Sequence, residues 1–401
     1  APGRRGHVRG NYNATIRACF GGYMVQAVIN TFVPLLFLTL RREYGLSLEE
    51  ISLLITVNFL VQLTVDLLAA RFVDRIGYRV SVVAAHLFSA AGLVLLTVLP
   101  QWMPPLAGLL IAVAVYAVGG GLIEVLISPI VEACPTRHKE SVMSLLHSFY
   151  CWGCVATILL STLFFALLGT GPWRVLACLW ALLPLVNGAI FTQVPLVSLT
   201  PEDGSGLSLR QLARQPAFWV LLLLMACAGA SEHGVSQWAS ALAESALGVS
   251  KTVGDLAGPL SFALLMGLSR VFYAKYGEKI PLRPYMTLCA ALCVAGYLLT
   301  ALSPWPALSL AGCGLCGLAV GCMWPGTFSL AAGRFRAGGT ALFALLALAG
   351  DLGCSAGPTA VGVASSALGG SLQRGILLGA VSPLLLMAGL LLLGRLEKKN
   401  P

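Results

Sequence analysis

Ala70-Arg71-Phe72-Val73-Asp74-Arg75-Ile76-Gly77-Tyr78-Arg79 is the stretch on which the architecture turns. It places three arginines, one aspartate and a turn glycine between two apolar runs, 48–70 and 79–100. A helix needs about 20 mostly apolar residues to cross the hydrocarbon core of a bilayer. The two runs are therefore read as membrane spans and the polar decapeptide as a short loop at one membrane face.

Moving outward from that loop, the pattern recurs along the whole chain. Apolar runs predict twelve spans: 16–39, 48–70, 79–100, 105–131, 141–168, 173–194, 215–243, 254–275, 284–303, 307–332, 339–366 and 374–395. Helix breakers fall between them, at Pro104-Pro105, Gly171-Pro172, Ser303-Pro304 and Gly369-Gly370. Hydrophobic residues make up 58% of the 401 and charged residues 10%. A soluble domain carries roughly 25% charged residues, so most of this surface faces lipid. No charged n-region with a short apolar stretch and cleavage site precedes the first span, and no removable signal peptide is expected.

The net charge of +9 does not indicate nucleic acid, because the basic residues sit in short loops between spans. There they set topology. Counting Arg270, Lys275, Lys279 and Arg283 with the loop after span eight, 20 of the 25 basic residues fall on one side. Arg41, Arg42, Arg174, Lys251 and Arg374 are left for the other. Both termini are accordingly expected in the cytoplasm, with the protein in a bacterial inner or plasma membrane.

The longest polar connection, 195–214, separates a six-span half at 1–194 from a second at 215–401. The halves echo one another. Arg75-x-Gly77-x-Arg79 is answered by Lys275-x-Gly277-x-Lys279, and Gly121-x7-Pro129 by Gly317-x7-Pro325. The expected fold is all-α and integral to the membrane: twelve transmembrane helices in two six-helix bundles with pseudo-two-fold symmetry. Many secondary transporters are built this way, with the binding site between the halves near the midplane. The chain is expected to act as a monomer.

These residues resemble the major facilitator superfamily, whose signature between spans two and three is Gly-x3-Asp-Arg-x-Gly-Arg-Arg/Lys. Asp74, Arg75, Gly77 and Arg79 match it, while Ala70 and Tyr78 depart from it. The resemblance implies that Asp74 and Arg79 help close the cytoplasmic side through charge contacts with neighbouring helix ends. Within the superfamily the chain is similar to the fucose:proton symporter family. Span four reads Gly119-Gly120-Gly121-Leu122-Ile123-Glu124 and then Pro129, and span five carries Ser148-Phe149 and Gly153. That family has an acidic residue four before a proline in span one. Here the position is Asn30, ahead of Pro34, and an asparagine cannot take up and release a proton.

Ionisable groups at a bilayer centre cost roughly 2.5–3.5 kcal/mol and so turn inward. Glu124 lies near the midplane, Glu232 in span seven and Asp351 in span eleven; these three acids are the ion-coupling candidates. Span seven adds His233, Gln237 and Trp238. Tyr23, Gln26 and Asn30 form a polar stripe at helical spacing in span one. Asn58, Gln62 and Asp66 do so in span two, Asp66 being assigned to the cytoplasmic gate for its nearness to Asp74. Helix–helix hydrogen bonding competes with a wet inner face as the reading of both stripes. His147, Tyr150 and Trp152 in span five and Trp324 in span ten offer rings for a ligand.

Cys151/Cys154 and Cys313/Cys316 have metal-like spacing but sit in Gly-rich apolar text, so they are read as helix packing and no metal is expected. No catalytic constellation or phosphate-cradling loop is present, and neither an enzyme nor a cofactor is indicated. An ion gradient is the available energy source, worth about 2.3 kcal/mol per charge per 100 mV. The function expected is secondary active transport of a small polar solute, such as a sugar, by alternating access with a proton or sodium ion. The alternatives are an exporter of amphipathic compounds and a non-transporting receptor on the same fold.

Overall fold

The computed structural model describes residues 11–136, 139–197, 209–335 and 339–399. The first bundle holds α1 (Tyr12–Thr31, Val33–Leu36 and Phe37–Tyr44), α2 (Leu48–Ile76) and α3 (Tyr78–Trp102). It is completed by α4 (Pro105–Ala133), α5 (Lys139–Leu168) and α6 (Trp173–Phe191). The second holds α7 (Pro216–Ser236 and Ala239–Ser245), α8 (Lys251–Asp255, Leu256–Leu260 and Ser261–Tyr276) and α9 (Leu282–Leu302). It ends with α10 (Pro306–Val320 and Met323–Arg334), α11 (Gly339–Ala367) and α12 (Leu372–Gly379 and Val381–Lys399). Among the described residues, eleven of these spans are long and apolar enough to cross a membrane by length and composition alone. The twelfth is α11, 29 residues long. Of the connection between the bundles, 198–208 lies outside the described residues, and the short helix Leu209–Ala213 leads into α7.

The turns have local causes. Gly45, at φ 65°, ends α1 in the left-handed conformation that favours glycine. Ser47 and Glu50 then form a reciprocal capping box that starts α2, with Ser47 Oγ accepting from the Glu50 amide at 3.1 Å. Gly77, at φ 92° and ψ 151°, separates α2 from α3 in a region closed to side-chain-bearing residues.

Proline explains the interruption of α1. Pro34 has no N–H to give to the carbonyl four residues back, which belongs to Asn30. The helix tightens into a 3₁₀ turn at Val33–Leu36, and the Asn30 carbonyl is freed for another partner. Small residues set the helix spacing within a bundle. A Cβ on Gly119 would lie 2.5 Å from the Ala85 carbonyl oxygen, which is how closely α4 approaches α3. Cys316 serves the same end, since a Cβ on Gly296 would sit 2.7 Å from its Sγ.

The halves meet most extensively along two helix pairs, α2 with α11 and α5 with α8, and α1 also touches α7. These pairs are equivalent under the pseudo-two-fold, which carries α2 to α8 and α5 to α11. Along the first pair the Glu49 amide donates to Ser366 Oγ at 3.0 Å, and Thr56 Oγ1 meets Thr359 Oγ1 at 2.5 Å. Residue numbers rise in α2 as they fall in α11, so the two run antiparallel. Closure is reinforced at the same end by Arg42–Glu244 at 3.2 Å and by Lys251 Nζ donating to the Leu35 carbonyl at 2.6 Å.

Candidate functional site

Asn30 organises the first-half wall. Its Oδ1 accepts from Asn58 Nδ2 at 3.0 Å and from Gln62 Nε2 at 2.8 Å, both on α2. Its Nδ2 donates to Tyr150 Oη on α5 at 3.2 Å. The carbonyl that Pro34 leaves free accepts Gln237 Nε2 from α7 at 3.1 Å. One and two turns earlier on α1, Gln26 Nε2 donates to Glu124 Oε2 at 2.8 Å and Tyr23 Oη pairs with Ser128 Oγ at 2.7 Å. Tyr23, Gln26 and Asn30 thus each hydrogen-bond a neighbouring helix, and all three also line the cavity between the halves.

The second half contributes Glu232 and His233 from α7 and Arg270 from α8. Arg270 Nη2 lies 3.6 Å from Glu232 Oε2, while its Nη1 reaches Cys151 Sγ at 3.3 Å. His233 stacks edge-on against Phe59 with centroids 4.8 Å apart. Between the halves lies a cavity of about 380 Å³, lined by Tyr23, Gln26, Asn30, Gln62, Glu124, His147, Tyr150, Glu232, His233, Trp324 and Asp351 among the residues singled out from sequence. Phe59, Arg270, Pro325, Phe328 and Cys354 complete the lining. A narrower extension toward the closed end is lined by Gln237, Ser236 and Ser240.

Three carboxylates converge at one side of this cavity. Asp66, Glu124 and Asp351 each offer an oxygen within 4.8 Å of the others. Charges that close repel by about 3 kcal/mol per pair at an effective dielectric near 20. The cluster therefore calls for positive charge, as protons or as a cation. Among the described residues no lysine, arginine or histidine forms an ion pair with any of the three.

Several sequence assignments change. Asp66, assigned to the cytoplasmic gate, sits with Glu124 and Asp351 instead, because α2 turns it toward the bundle interface two turns before the loop. Trp238, expected at the cavity, is fully buried; it packs on Phe37 at 5.3 Å and donates Nε1 to the Pro358 carbonyl at 2.8 Å. Trp152 faces α8 at Gly267, away from the cavity lining. Asn58 backs the wall by holding Asn30 rather than lining the main cavity. Arg270, counted with the loop charges, belongs to the cavity. The signal for it was present: an arginine inside an apolar run, at 254–275, needs a buried partner as much as a glutamate does.

In the gate motif Arg79 Nη1 donates to the Phe191 carbonyl at the end of α6 at 2.8 Å, a cation on a helix C-terminus. Arg75 is exposed and Gly77 makes the turn, while the Asp74 side chain lies outside the described residues.

Twelve spanning helices in two six-helix bundles, enclosing a polar cavity at their interface, define the transporter fold of polytopic membrane proteins. The sequence profile of the Major Facilitator Superfamily matches residues 18–358. The chain belongs to that superfamily. No curated protein matches it in sequence. Among solved structures, it is similar to a bacterial homolog of the human lysosomal transporter Spinster in an inward-facing, unoccupied conformation. That similarity has a TM-score of 0.75 at 16% identity, covering 99% of each chain. The occupied form gives 0.74 at 15% identity, over 96% of this chain and 97% of that one. The E. coli fucose:proton symporter gives 0.63 at 14% identity, over 95% of this chain and 99% of that one.

Proposed function

We propose that the chain is a secondary active transporter that moves a small polar solute, with a sugar as the favoured class, coupled to a proton or sodium gradient. The observation that carries this reading is the cavity itself. It is walled by both halves, falls within the roughly 300–1000 Å³ range of small-molecule sites, and combines amide and hydroxyl groups with the rings of Tyr23, Tyr150 and Trp324. Such a mixture suits a hydroxyl-rich ligand with an apolar face. The fucose:proton symporter among the structural neighbours supports the sugar class. The halves 1–194 and 215–401 rock about the cavity, joined by the 195–214 linker. The bias of basic residues supports both termini in the cytoplasm, and hence closure on the outer side in this conformation.

Radiolabelled uptake into proteoliposomes under an imposed proton or sodium gradient tests the reading directly. Gradient-driven accumulation is expected, with loss in Glu124→Gln and Glu232→Gln. Binding without flux would assign a receptor instead. The apolar wall of Phe59, Trp324 and Phe328 favours, as a second reading, an exporter of amphipathic compounds, which rescue of a drug-sensitive strain would reveal.

A further inference from the structure

We infer that Asp66, Glu124 and Asp351 form a binding site for one hard, oxygen-seeking cation of sodium or calcium size, shared between the two halves. Asp66 and Glu124 come from α2 and α4 of the first bundle, Asp351 from α11 of the second. Neither bundle holds the site alone.

Geometry allows a single ion to reach all three acids. Two oxygens bound to one ion at the 2.3–2.6 Å of calcium coordination can lie no more than about 5 Å apart. All three ligand oxygens here fall within 4.8 Å of one another. Sodium has nearly the radius of calcium and the same preference for oxygen.

A second observation points to a ligand. Asp351 is only 7% exposed, and its Oδ2 is enclosed with no donor group among the described residues, its one polar neighbour being the Asp66 carboxyl. Oδ1 of Asp66, across the seam, is enclosed and likewise reached by no donor from outside the acid cluster among the described residues. Buried carboxylate oxygens ordinarily find donors. Glu124 does, through Gln26, but the two aspartates have only each other and the space between.

The molecule also contains its own control. The offsets that align Gly121 with Gly317, and the start of α5 at Lys139 with that of α11 at Gly339, carry Glu124 to Val320 and Asp351 to Cys151. The Gly77 to Gly277 offset carries Asp66 to Met266. Those three counterparts are buried and uncharged, at 1%, 1% and 3% exposure. None of the three counterpart positions carries an acid, and the charges beside Cys151, Arg270 and Glu232, make an ion pair of their own, whereas the three acids here have no cation beside them among the described residues.

Their position suits a latch. The α2–α11 ladder runs from Glu49/Ser366 through Ser52/Gly362 and Thr56/Thr359 to Asp66/Asp351. A cation there joins the halves, and its departure leaves like charges facing each other. This deepens the coupling proposed above by naming its site. Its test is binding rather than uptake, so either can fail while the other stands.

The melting temperature of the purified full chain in detergent is to be followed against NaCl, CaCl₂ and choline chloride at matched ionic strength and fixed pH. A saturable rise with sodium, or with calcium, is expected, because an ion that binds only the folded state stabilises it by mass action; choline should give none. Which salt saturates identifies the ion. Asp66→Asn and Asp351→Asn should each weaken the apparent affinity at least tenfold. Where an asparagine variant does not fold, Asp351→Glu, which keeps the charge but moves the oxygens, is read in its place with the same expectation. No salt effect beyond choline would mean the acids hold protons only and would overturn the site. An undiminished rise in the variants would place the ion elsewhere and overturn it equally.

Discussion

Gln237 of the second half hydrogen-bonds the main-chain carbonyl of Asn30 in the first, the carbonyl that Pro34 releases from the α1 helix. A proline in one bundle thus creates the acceptor by which the other bundle is held. Replacing Gln237 by leucine removes one hydrogen bond of about 1 kcal/mol and leaves the carbonyl without a donor. Backbone amides around Asn30 should exchange with deuterium roughly fivefold faster. Unchanged exchange there would show that the contact does not hold the closed end.

Arg270 and Glu232 are to be judged by a double-mutant cycle. Losing one member of a buried pair strands the other, at a cost of about 3 kcal/mol. Arg270→Met should therefore destabilise the protein in chemical denaturation more than Arg270→Met with Glu232→Gln does. Additive effects of the two changes would mean that the 3.6 Å approach contributes nothing.

Lys251 Nζ reaches the Leu35 carbonyl, Glu244 at 3.2 Å and the fully buried Asp255 at 3.0 Å. Lys251→Met should lower stability by about 3 kcal/mol by leaving Asp255 uncompensated, and adding Asp255→Asn should restore most of the loss. The neighbouring Arg42–Glu244 pair has an arginine side chain 68% exposed. Its contribution should vanish in 1 M salt, so Arg42→Ala should be neutral there.

Trp238→Ala should cost about 3–5 kcal/mol, as for large aromatic deletions in a core. Trp238→Phe should lose only the Pro358 hydrogen bond, about 1 kcal/mol, and leave solute affinity within about twofold. A large change in affinity on the conservative replacement would return Trp238 to the binding wall.

Gly77→Ala should cost about 1–3 kcal/mol in thermal unfolding, because the φ 92°, ψ 151° conformation is essentially restricted to glycine. The loss should appear without any change in the cavity residues, which lie at least two helical turns away along α2.

Spans, loops and the two-fold echo were legible in the residues alone because bilayer hydropathy is a local property. Twenty apolar residues must cross, and polar loops must stay outside, whatever the neighbours are. That is why 48–70 foretells α2 and 79–100 foretells α3 to within a few residues. The stripe Tyr23, Gln26, Asn30 was readable for the same reason, since helical spacing puts them on one face. Partnership was not readable. Whether Asp66 belongs to the loop beside it or to Asp351, 285 positions along the chain, depends on the antiparallel register of α2 against α11. Likewise Trp238 and Trp324 look alike in sequence, yet one is locked under Pro358 and the other opens on the cavity. Hydrophobicity tells a helix that it must be in the membrane. Only packing against its neighbours tells it which way to face.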